Sequence, residues 1–271
     1  LLLSSTDFIS NSAGLIGGGV NVEYGSLNMS AGSMLSNTAW EGGGAFVRYD
    51  ASLGGASIGA NRATVGGGGL YVDSGYLTAT NTTFSANTAQ HGGGAYVARD
   101  VSLSGSAFTG NTSAGPYNGG GLYAGGAGSS VVSGTTFSAN SAGGNGGGLY
   151  LNAGSLVLTH TQFLLNSAGQ DGGGLNVAAG SLTAANSSFF TNTALNKYGG
   201  GAWIKHNASL SGGEVSANTA QDSGGGIFAS LGSLTARDTQ FISNTAQNGD
   251  GGGAWAGLDT SLSGGAVMRN R

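Results

Sequence analysis

The chain has 271 residues, of which 57 are glycine, one is proline and none is cysteine. Disordered chains lack apolar and aromatic residues, whereas this one is 39% hydrophobic and carries aromatic residues along its whole length. The absence of cysteine excludes disulfides and thiolate metal sites. Charged residues make up 7% of the chain and give a net charge of −4, so no basic patch is available for nucleic acid. No apolar run approaches the roughly 20 residues of a membrane span.

A repeat covers the whole chain and begins, in each copy, with a run of glycines. The runs are spaced by 25 to 27 residues and end at Gly19, Gly44, Gly69, Gly94, Gly121, Gly148, Gly174, Gly201, Gly226 and Gly253. After each run the residues alternate as in Leu149-Tyr150-Leu151, which predicts a half-buried strand. A Ser-Leu segment follows, and then an apolar residue three positions before an asparagine. Each copy therefore predicts three short strands.

These repeats predict an all-β fold, a right-handed single-stranded parallel β-helix of about ten to eleven coils with about 24 to 29 residues each. Equivalent residues of stacked coils lie about 4.8 Å apart, so identical side chains form ladders. An asparagine amide has both donors and acceptors and can bond to its copies in the coils above and below. The predicted inward ladder consists of Asn11, Asn37, Asn61, Asn87, Asn111, Asn140, Asn166, Asn192, Asn218, Asn244 and Asn270.

Residues 1–271 are predicted to form one β-helix domain with one irregular loop insertion at 113–130, which contains Pro116. The chain begins and ends inside coils, so we expect it to be part of a longer solenoid. Uncapped strand edges also allow a second hypothesis, in which copies of the chain associate end to end.

The most distinctive candidate site is an aromatic column two residues after the glycine runs. By alternation its side chains should face outward, where they either stabilise the sheet by stacking or form an exposed binding stripe for sugar rings or another protein. Asn21 and Asn176 interrupt the column, which comprises Phe46, Tyr71, Tyr96, Tyr123, Tyr150, Trp203, Phe228 and Trp255.

Other candidate sites are less specific. Asp222 and Asp250 lie in turns of adjacent coils and could share a Ca²⁺, but two carboxylates supply too few oxygens, so solvated turn acids are the favoured interpretation.

Glycosylation sequons, meaningful only in a chain secreted by a eukaryote, occur at Asn28, Asn81, Asn111, Asn186 and Asn207, with Asn111 the least credible because it belongs to the inward ladder. The remaining acids are scattered over different columns, and no catalytic residue or cofactor is predicted.

Gly-Gly-Ala followed by Phe-x-x-Asn resembles the repeats of chlamydial polymorphic outer-membrane proteins and, more broadly, bacterial β-helix adhesin repeats. The matching segments include Gly93-Gly94-Ala95, Gly252-Gly253-Ala254, Phe84 to Asn87 and Phe241 to Asn244. Here an aromatic residue follows Gly-Gly-Ala where the family has an aliphatic one. The resemblance implies a surface-exposed passenger or adhesin fold, and a shared fold does not itself transfer an activity.

The function expected from the sequence is that of a non-catalytic extracellular β-helix, either a surface adhesin stalk or passenger or a structural segment of an extracellular fibre. Its expected partners are a polysaccharide or glycan, a host-surface protein, or copies of itself. The alternative is a polysaccharide-active lyase or hydrolase, whose site would lie in the insertion or outside the regular coils.

Overall fold

The computed structural model describes residues 1–271 and contains β-strands and turns but no helix. Every strand pairing is parallel, and strands of the inner coils pair with the equivalent strands of the coils before and after them. The chain is therefore a parallel β-solenoid of about ten coils built from three sheets, as the repeat predicts. No helix exists that could cross a membrane.

Sheet 1 has 20 strands, usually two short ones per coil separated by a kink. The kink residue has a left-handed backbone, as at Asn81 and Asn186. The strands are β1 (Leu2–Ile9), β3 (Leu27–Leu35), β6 (Ala51–Gly54), β7 (Ser57–Gly59), β10 (Leu77–Thr80), β11 (Thr83–Ser85), β14 (Val101–Ser104), β15 (Ala107–Thr109), β18 (Ser129–Ser133), β19 (Thr136–Ser138), β22 (Ser155–Thr159), β23 (Gln162–Leu164), β26 (Leu182–Ala185), β27 (Ser188–Phe190), β30 (Ala208–Ser211), β31 (Glu214–Ser216), β34 (Leu234–Arg237), β35 (Gln240–Ile242), β38 (Thr260–Ser263) and β39 (Ala266–Met268).

Sheets 2 and 3 contribute one strand per coil, and the glycine run connects them. Sheet 2 comprises β4 (Thr38–Glu41), β8 (Arg62–Gly66), β12 (Thr88–Ala89), β16 (Thr112–Ser113), β20 (Ser141–Ala142), β24 (Ser167–Ala168), β28 (Thr193–Ala194), β32 (Thr219–Ala220) and β36 (Thr245–Ala246). Sheet 3 comprises β2 (Val20–Val22), β5 (Ala45–Val47), β9 (Leu70–Val72), β13 (Ala95–Val97), β17 (Leu122–Ala124), β21 (Leu149–Leu151), β25 (Leu175–Val177), β29 (Ala202–Ile204), β33 (Ile227–Ala229) and β37 (Ala254–Ala256).

The core is a stack of like residues from successive coils. Rings of Phe84, Phe108, Phe137, Phe163 and Phe189 are fully buried and lie parallel, with centroids 4.5 to 5.0 Å apart. Aliphatic residues of sheets 1 and 3 pack around this stack. Because each coil alone buries little apolar surface, the stability of the core depends on stacking.

The asparagine ladder lies inside the solenoid, and Asn140 illustrates its bonding. Its Nδ2 donates to the Phe108 carbonyl at 2.8 Å and to Oδ1 of Asn166 at 3.0 Å. Its Oδ1 accepts from both the backbone N–H and the Nδ2 of Asn111 at 3.0 Å. Since the amide is almost completely buried and all four bonds are made, the predicted inward ladder is confirmed.

The glycine run brings the backbones of neighbouring coils into close approach. Gly146 has a φ of 65°, which favours glycine over other residues. A Cβ on the next residue, Gly147, would lie 2.5 Å from the Ser167 carbonyl oxygen and closer still to that of Gly173. These approaches allow the Gly148 N–H to bond to the Gly174 carbonyl at 2.9 Å. The run is therefore required by the spacing of the coils.

The predicted single loop at 113–130 is wrong in one respect, because a regular strand divides it. Strand β17 keeps the register of sheet 3, with Leu122 paired to Ala95 on one side and Leu149 on the other. The extra residues form two separate turns, one before β17 and one after it at Gly125 to Gly128. A coil accommodates extra residues at its corners because only there are backbone groups not committed to the sheet ladder.

Candidate binding surface

The predicted aromatic column forms a continuous stack on the outer side of sheet 3. The register aligns Phe46, Tyr71, Tyr96, Tyr123 and Tyr150 on successive coils. Their ring centroids lie 4.6 to 5.4 Å apart, and neighbouring ring planes are within 26° of parallel. Each inner ring therefore has both faces covered by its neighbours.

Of the two interpretations of this column, the burial of its rings agrees with stabilisation of the sheet by stacking and not with an exposed stripe. Phe46 is only 4% exposed, Tyr150 8% and Phe228 7%, and the other members are partly buried. Alternation determines which face of the sheet a side chain projects from. Here the rings stack on one another along the solenoid axis, so only the ring edges are exposed to solvent. A sugar stacks on a ring face, so this column stabilises the sheet better than it binds sugars.

The column is interrupted in its second half. Asn176 occupies the aromatic position next to Tyr150, is 2% exposed, and its buried Oδ1 has no hydrogen-bond partner. Beyond it, Phe228 stacks on Trp255 at 4.3 Å and on Tyr198 at 4.7 Å. Tyr198 comes from the turn before the glycine run, so Trp203 is left outside the stack, with Lys205 Nζ 5.9 Å from its ring centroid.

Burial of the tyrosines makes the fold sensitive to alkali. Burial, with Tyr96 and Tyr150 adding to the effect, raises the pKa of Tyr123 from 10 to about 12. Burial also raises the pKa of Tyr71, Tyr96 and Tyr150. Above pH 10 the unfolded chain loses phenolic protons that the folded chain keeps, so stability is complete below pH 10 and falls from there towards pH 12.

We therefore expect the urea midpoint to fall more between about pH 9 and about pH 11 in the natural chain than in a variant carrying Tyr71→Phe, Tyr96→Phe, Tyr123→Phe and Tyr150→Phe. Phenylalanine keeps the ring stack and removes the titrating hydroxyl. Circular dichroism follows unfolding at both pH values. An equal fall in the two proteins would contradict the assignment of the alkaline sensitivity to this stack.

The structure separates the five sequons. Asn111 belongs to the core ladder, and its Nδ2 donates to the Phe84 carbonyl and to Asn140 Oδ1, which agrees with its being the least credible of the five. The other four are exposed on the surface: Asn28, Asn81, Asn186 and Asn207. Their use as glycosylation sites stays a prediction.

The two acids considered for Ca²⁺ do not occupy equivalent positions. The Gly224 N–H bonds to the Asp250 carbonyl and the Asp250 N–H bonds to Oγ of Ser223, so Asp250 stacks on Ser223 and is offset by one residue from Asp222. No group of three or more histidine or acidic side chains is placed to hold a metal ion.

A second surface, which the sequence analysis did not identify, lies at the corner between sheets 3 and 1 in the N-terminal coils. Three tyrosines project there: Tyr24 is 90% exposed, Tyr49 49% and Tyr76 47%. The same turns carry charged side chains, a class that makes up only 7% of the chain, namely Glu23, Arg48, Asp50, Asp73, Arg99 and Asp100. Tyrosine and arginine are the residues enriched at binding surfaces.

This corner contains the largest depression of the molecule, which we call the corner cleft. It has a volume of about 600 Å³ and is lined by Asp73, Ser74, Tyr76, Ala98, Arg99, Asp100, Gly126, Ala127 and Gly128. A second depression of about 280 Å³ adjoins it and shares Tyr76 and Asp100. The extra residues after β17 thus form one wall, and volumes in this range suit a small-molecule ligand.

The charged side chains of the cleft are held in place by hydrogen bonds. Arg48 Nη1 donates to Asp73 Oδ2 at 3.0 Å. Arg99 Nε donates to the Ser74 carbonyl at 2.9 Å, and its guanidinium carbon lies 5.6 Å from the centroid of the Tyr76 ring. Asp100 Oδ1 accepts from the Gly128 N–H at 3.2 Å, which fastens the extra turn to the preceding coil.

Two acids flank Tyr76 in one column, contrary to the expectation that the acids are scattered over different columns. Ala51, Leu77 and Val101 are in register, so the residues preceding them stack as Asp50, Tyr76 and Asp100. Asp50 Oδ1 accepts from the Tyr76 N–H at 3.0 Å. The sequence does contain a signal for this arrangement. These charged residues all lie within a few positions after the end of a sheet 3 strand, so they could have been assigned to the same corner.

Comparison with protein-family models, with curated proteins and with solved structures finds no match to this chain.

Proposed function

We propose that this chain is a non-catalytic segment of an extracellular or cell-surface β-solenoid, an adhesin stalk or passenger, that binds its ligand at the corner cleft. The coil stack supplies a rigid support, and the resemblance to adhesin-type repeats supports the location. The buried aromatic stack stiffens sheet 3 rather than contacting the ligand.

The observation that carries this proposal is that exposed tyrosines and paired charges meet at one corner of a chain of which only 7% of the residues are charged. Tyr76 is about half exposed, and Asp50 and Asp100 lie on either side of it in the neighbouring coils. The guanidinium of Arg99 lies over the Tyr76 ring. Exposed aromatic and guanidinium groups beside a cleft of about 600 Å³ supply contact area and directional hydrogen bonds together.

Substitution Tyr76→Ala should weaken ligand binding by about tenfold or more, the usual effect of removing an aromatic anchor. The matched control is Tyr49→Ala, because Tyr49 is equally exposed on the adjacent coil but does not line the cleft. Binding would be measured on an array of neutral, amino and acidic glycans together with purified extracellular-matrix glycoproteins. Equal losses for both variants, or no loss for Tyr76→Ala, would contradict the proposal.

A polysaccharide-active enzyme is the second candidate, and the corner cleft also gives it its only specific support. Asp73 and Asp100 line the same cleft, and hydrolysis of glycosides uses a pair of carboxyl groups facing one bond. Incubation with polygalacturonate and neutral glucans distinguishes the candidates. New reducing ends or unsaturated products that disappear in Asp100→Asn would establish the enzyme and overturn the non-catalytic proposal.

A further inference from the structure

We propose that the ligand of the corner cleft is a neutral oligosaccharide chain of at least two sugar units. This inference rests on the proposed function, since it assumes that the cleft is a ligand site, and it adds the chemical class of the ligand.

The charges of the cleft disfavour acidic sugars. Three carboxylates surround Tyr76, from Asp50, Asp73 and Asp100, whereas Arg48 and Arg99 are the only cations beside them. Arg48 is already paired with Asp73, and Arg99 is engaged with the Ser74 carbonyl and the Tyr76 ring. A uronate or sulfate would therefore meet net negative charge, with Arg99 the single guanidinium that is not paired to a carboxylate, and like charges brought together suppress binding.

The uncommitted polar atoms of the cleft match the hydroxyl groups of a sugar. Asp73 uses Oδ2 and Asp100 uses Oδ1 for contacts within the chain, so each keeps a second carboxylate oxygen free as an acceptor. Arg99 uses Nε, which leaves its Nη groups as donors. A sugar hydroxyl both donates and accepts, so adjacent hydroxyls can bond to a carboxylate and a guanidinium together.

The apolar part of a sugar ring has a matching surface in Tyr76. This ring lines both depressions, and it is held by its own backbone N–H bond to Asp50 and by Arg99 above it. Unlike the stacked rings of sheet 3, it has no aromatic neighbour, so part of its surface is free. A tyrosine fixed in this way contributes contact area at low conformational cost.

The two depressions indicate a chain rather than a single sugar. They meet at Tyr76 and Asp100, with the larger extending to Gly126 and the smaller to Thr78 and Ser102 on sheet 1. The smaller depression is lined by hydroxyl-bearing side chains and carries no further charge beyond Asp100. A chain with one unit at Tyr76 would place its next unit against this uncharged surface.

The test compares neutral and acidic trisaccharides of similar shape by isothermal titration calorimetry on the full chain. The probes are cellotriose, maltotriose, mannotriose and trigalacturonate, and the readout is the ratio of neutral to acidic affinity. We expect at least one neutral trisaccharide to bind about tenfold or more tighter than trigalacturonate, with Tyr76→Ala removing the binding and Tyr49→Ala preserving it.

The variant Asp50→Asn separates the charge argument from a structural role, because Asp50 lies beside Tyr76 but lines neither depression. Asparagine keeps the Oδ1 acceptor for the Tyr76 N–H and removes one negative charge. We expect this variant to leave neutral binding within about threefold while raising the affinity for trigalacturonate. Folding of each variant is checked by circular dichroism.

The outcomes distinguish this inference from the proposed function. Equal or tighter binding of trigalacturonate through Tyr76 would overturn the neutral-sugar inference and leave a ligand site at the cleft. Binding to the polypeptide of a glycoprotein and not to its glycans, with the binding lost in Tyr76→Ala, would likewise overturn the neutral-sugar inference and leave a ligand site at the cleft. If no glycan or glycoprotein binds the natural chain, both the inference and the proposed function fail.

Discussion

The substitution Asn140→Ala should lower the free energy of unfolding by about 3–5 kcal/mol, because four hydrogen bonds of a buried amide are lost and each contributes about 1 kcal/mol net. Two of these bonds are donated by Asn140 Nδ2, and two are accepted by its Oδ1 from Asn111. The substitution also leaves the buried Asn111 amide without its acceptor. Urea denaturation followed by circular dichroism measures the effect.

Asn152→Ala provides the matched control, because Asn152 is exposed and makes only one long contact, as acceptor from the Tyr150 hydroxyl at 3.4 Å. We expect this variant to stay within about 0.5 kcal/mol of the natural chain. A loss below about 1 kcal/mol in Asn140→Ala, comparable to the control, would mean that the ladder is not a main source of stability.

The substitution Gly147→Ala should be at least as damaging, with a loss of about 3 kcal/mol or more. The added Cβ would meet the carbonyl oxygens of Gly173 and Ser167, which belong to backbone and cannot rotate away. Relief requires that the coils of Gly147 and Gly173 move apart, and this movement would stretch the bond from the Gly148 N–H to the Gly174 carbonyl. Thermal unfolding and the yield of folded protein both report the effect.

The matched control is Gly54→Ala on sheet 1, where a Cβ would find no atom within 4 Å. Its φ does not lie in the left-handed region, so alanine should be neutral or stabilise the chain slightly, by up to about 1 kcal/mol. Two glycine variants with equal stability would contradict the explanation of the glycine run as a requirement of coil spacing.

Much of the fold can be predicted from the sequence because every coil of a solenoid repeats the same strands and turns, with equivalent residues at equivalent positions. The spacing of Gly147, Asn140 and Phe137 relative to their copies fixes the register, and the parallel pairing then follows without knowledge of distant contacts. The strand β17 follows from the glycine run that ends at Gly121, and only the irregular residues on either side of it made 113–130 read as one loop. Its place in sheet 3 is set by pairing with the strands of the coils on either side.

The aromatic column shows the limit of alternation as a predictor. Alternation correctly places Tyr96 and Tyr123 on the outer side of sheet 3, but it says nothing about the side-chain torsion angles. Rings 4.7 Å apart gain more by covering each other's faces than by facing water, so an outward residue became half-buried.

The corner cleft was not predictable from columns alone because its side chains come from turns of unequal length. Asp73 and Tyr76 lie in one coil, Arg99 and Asp100 in the next, and Gly126 in the extra turn after β17. Their proximity depends on how each turn projects from the corner, which the strand pattern does not encode. The concentration of charged residues in these turns, in a chain that is only 7% charged, was nevertheless visible in the sequence.

Tyrosine modification in the presence of ligand tests most directly whether binding takes place at the corner cleft rather than on sheet 3. Tyr76 and Tyr49 are similarly exposed, so both should be nitrated by tetranitromethane in the free chain. With the tightest-binding trisaccharide present, peptide mass spectrometry should show protection of Tyr76 and unchanged nitration of Tyr49. Unchanged nitration of Tyr76, together with protection at Tyr123 or Tyr150, would place the ligand on the stacked rings and contradict this account.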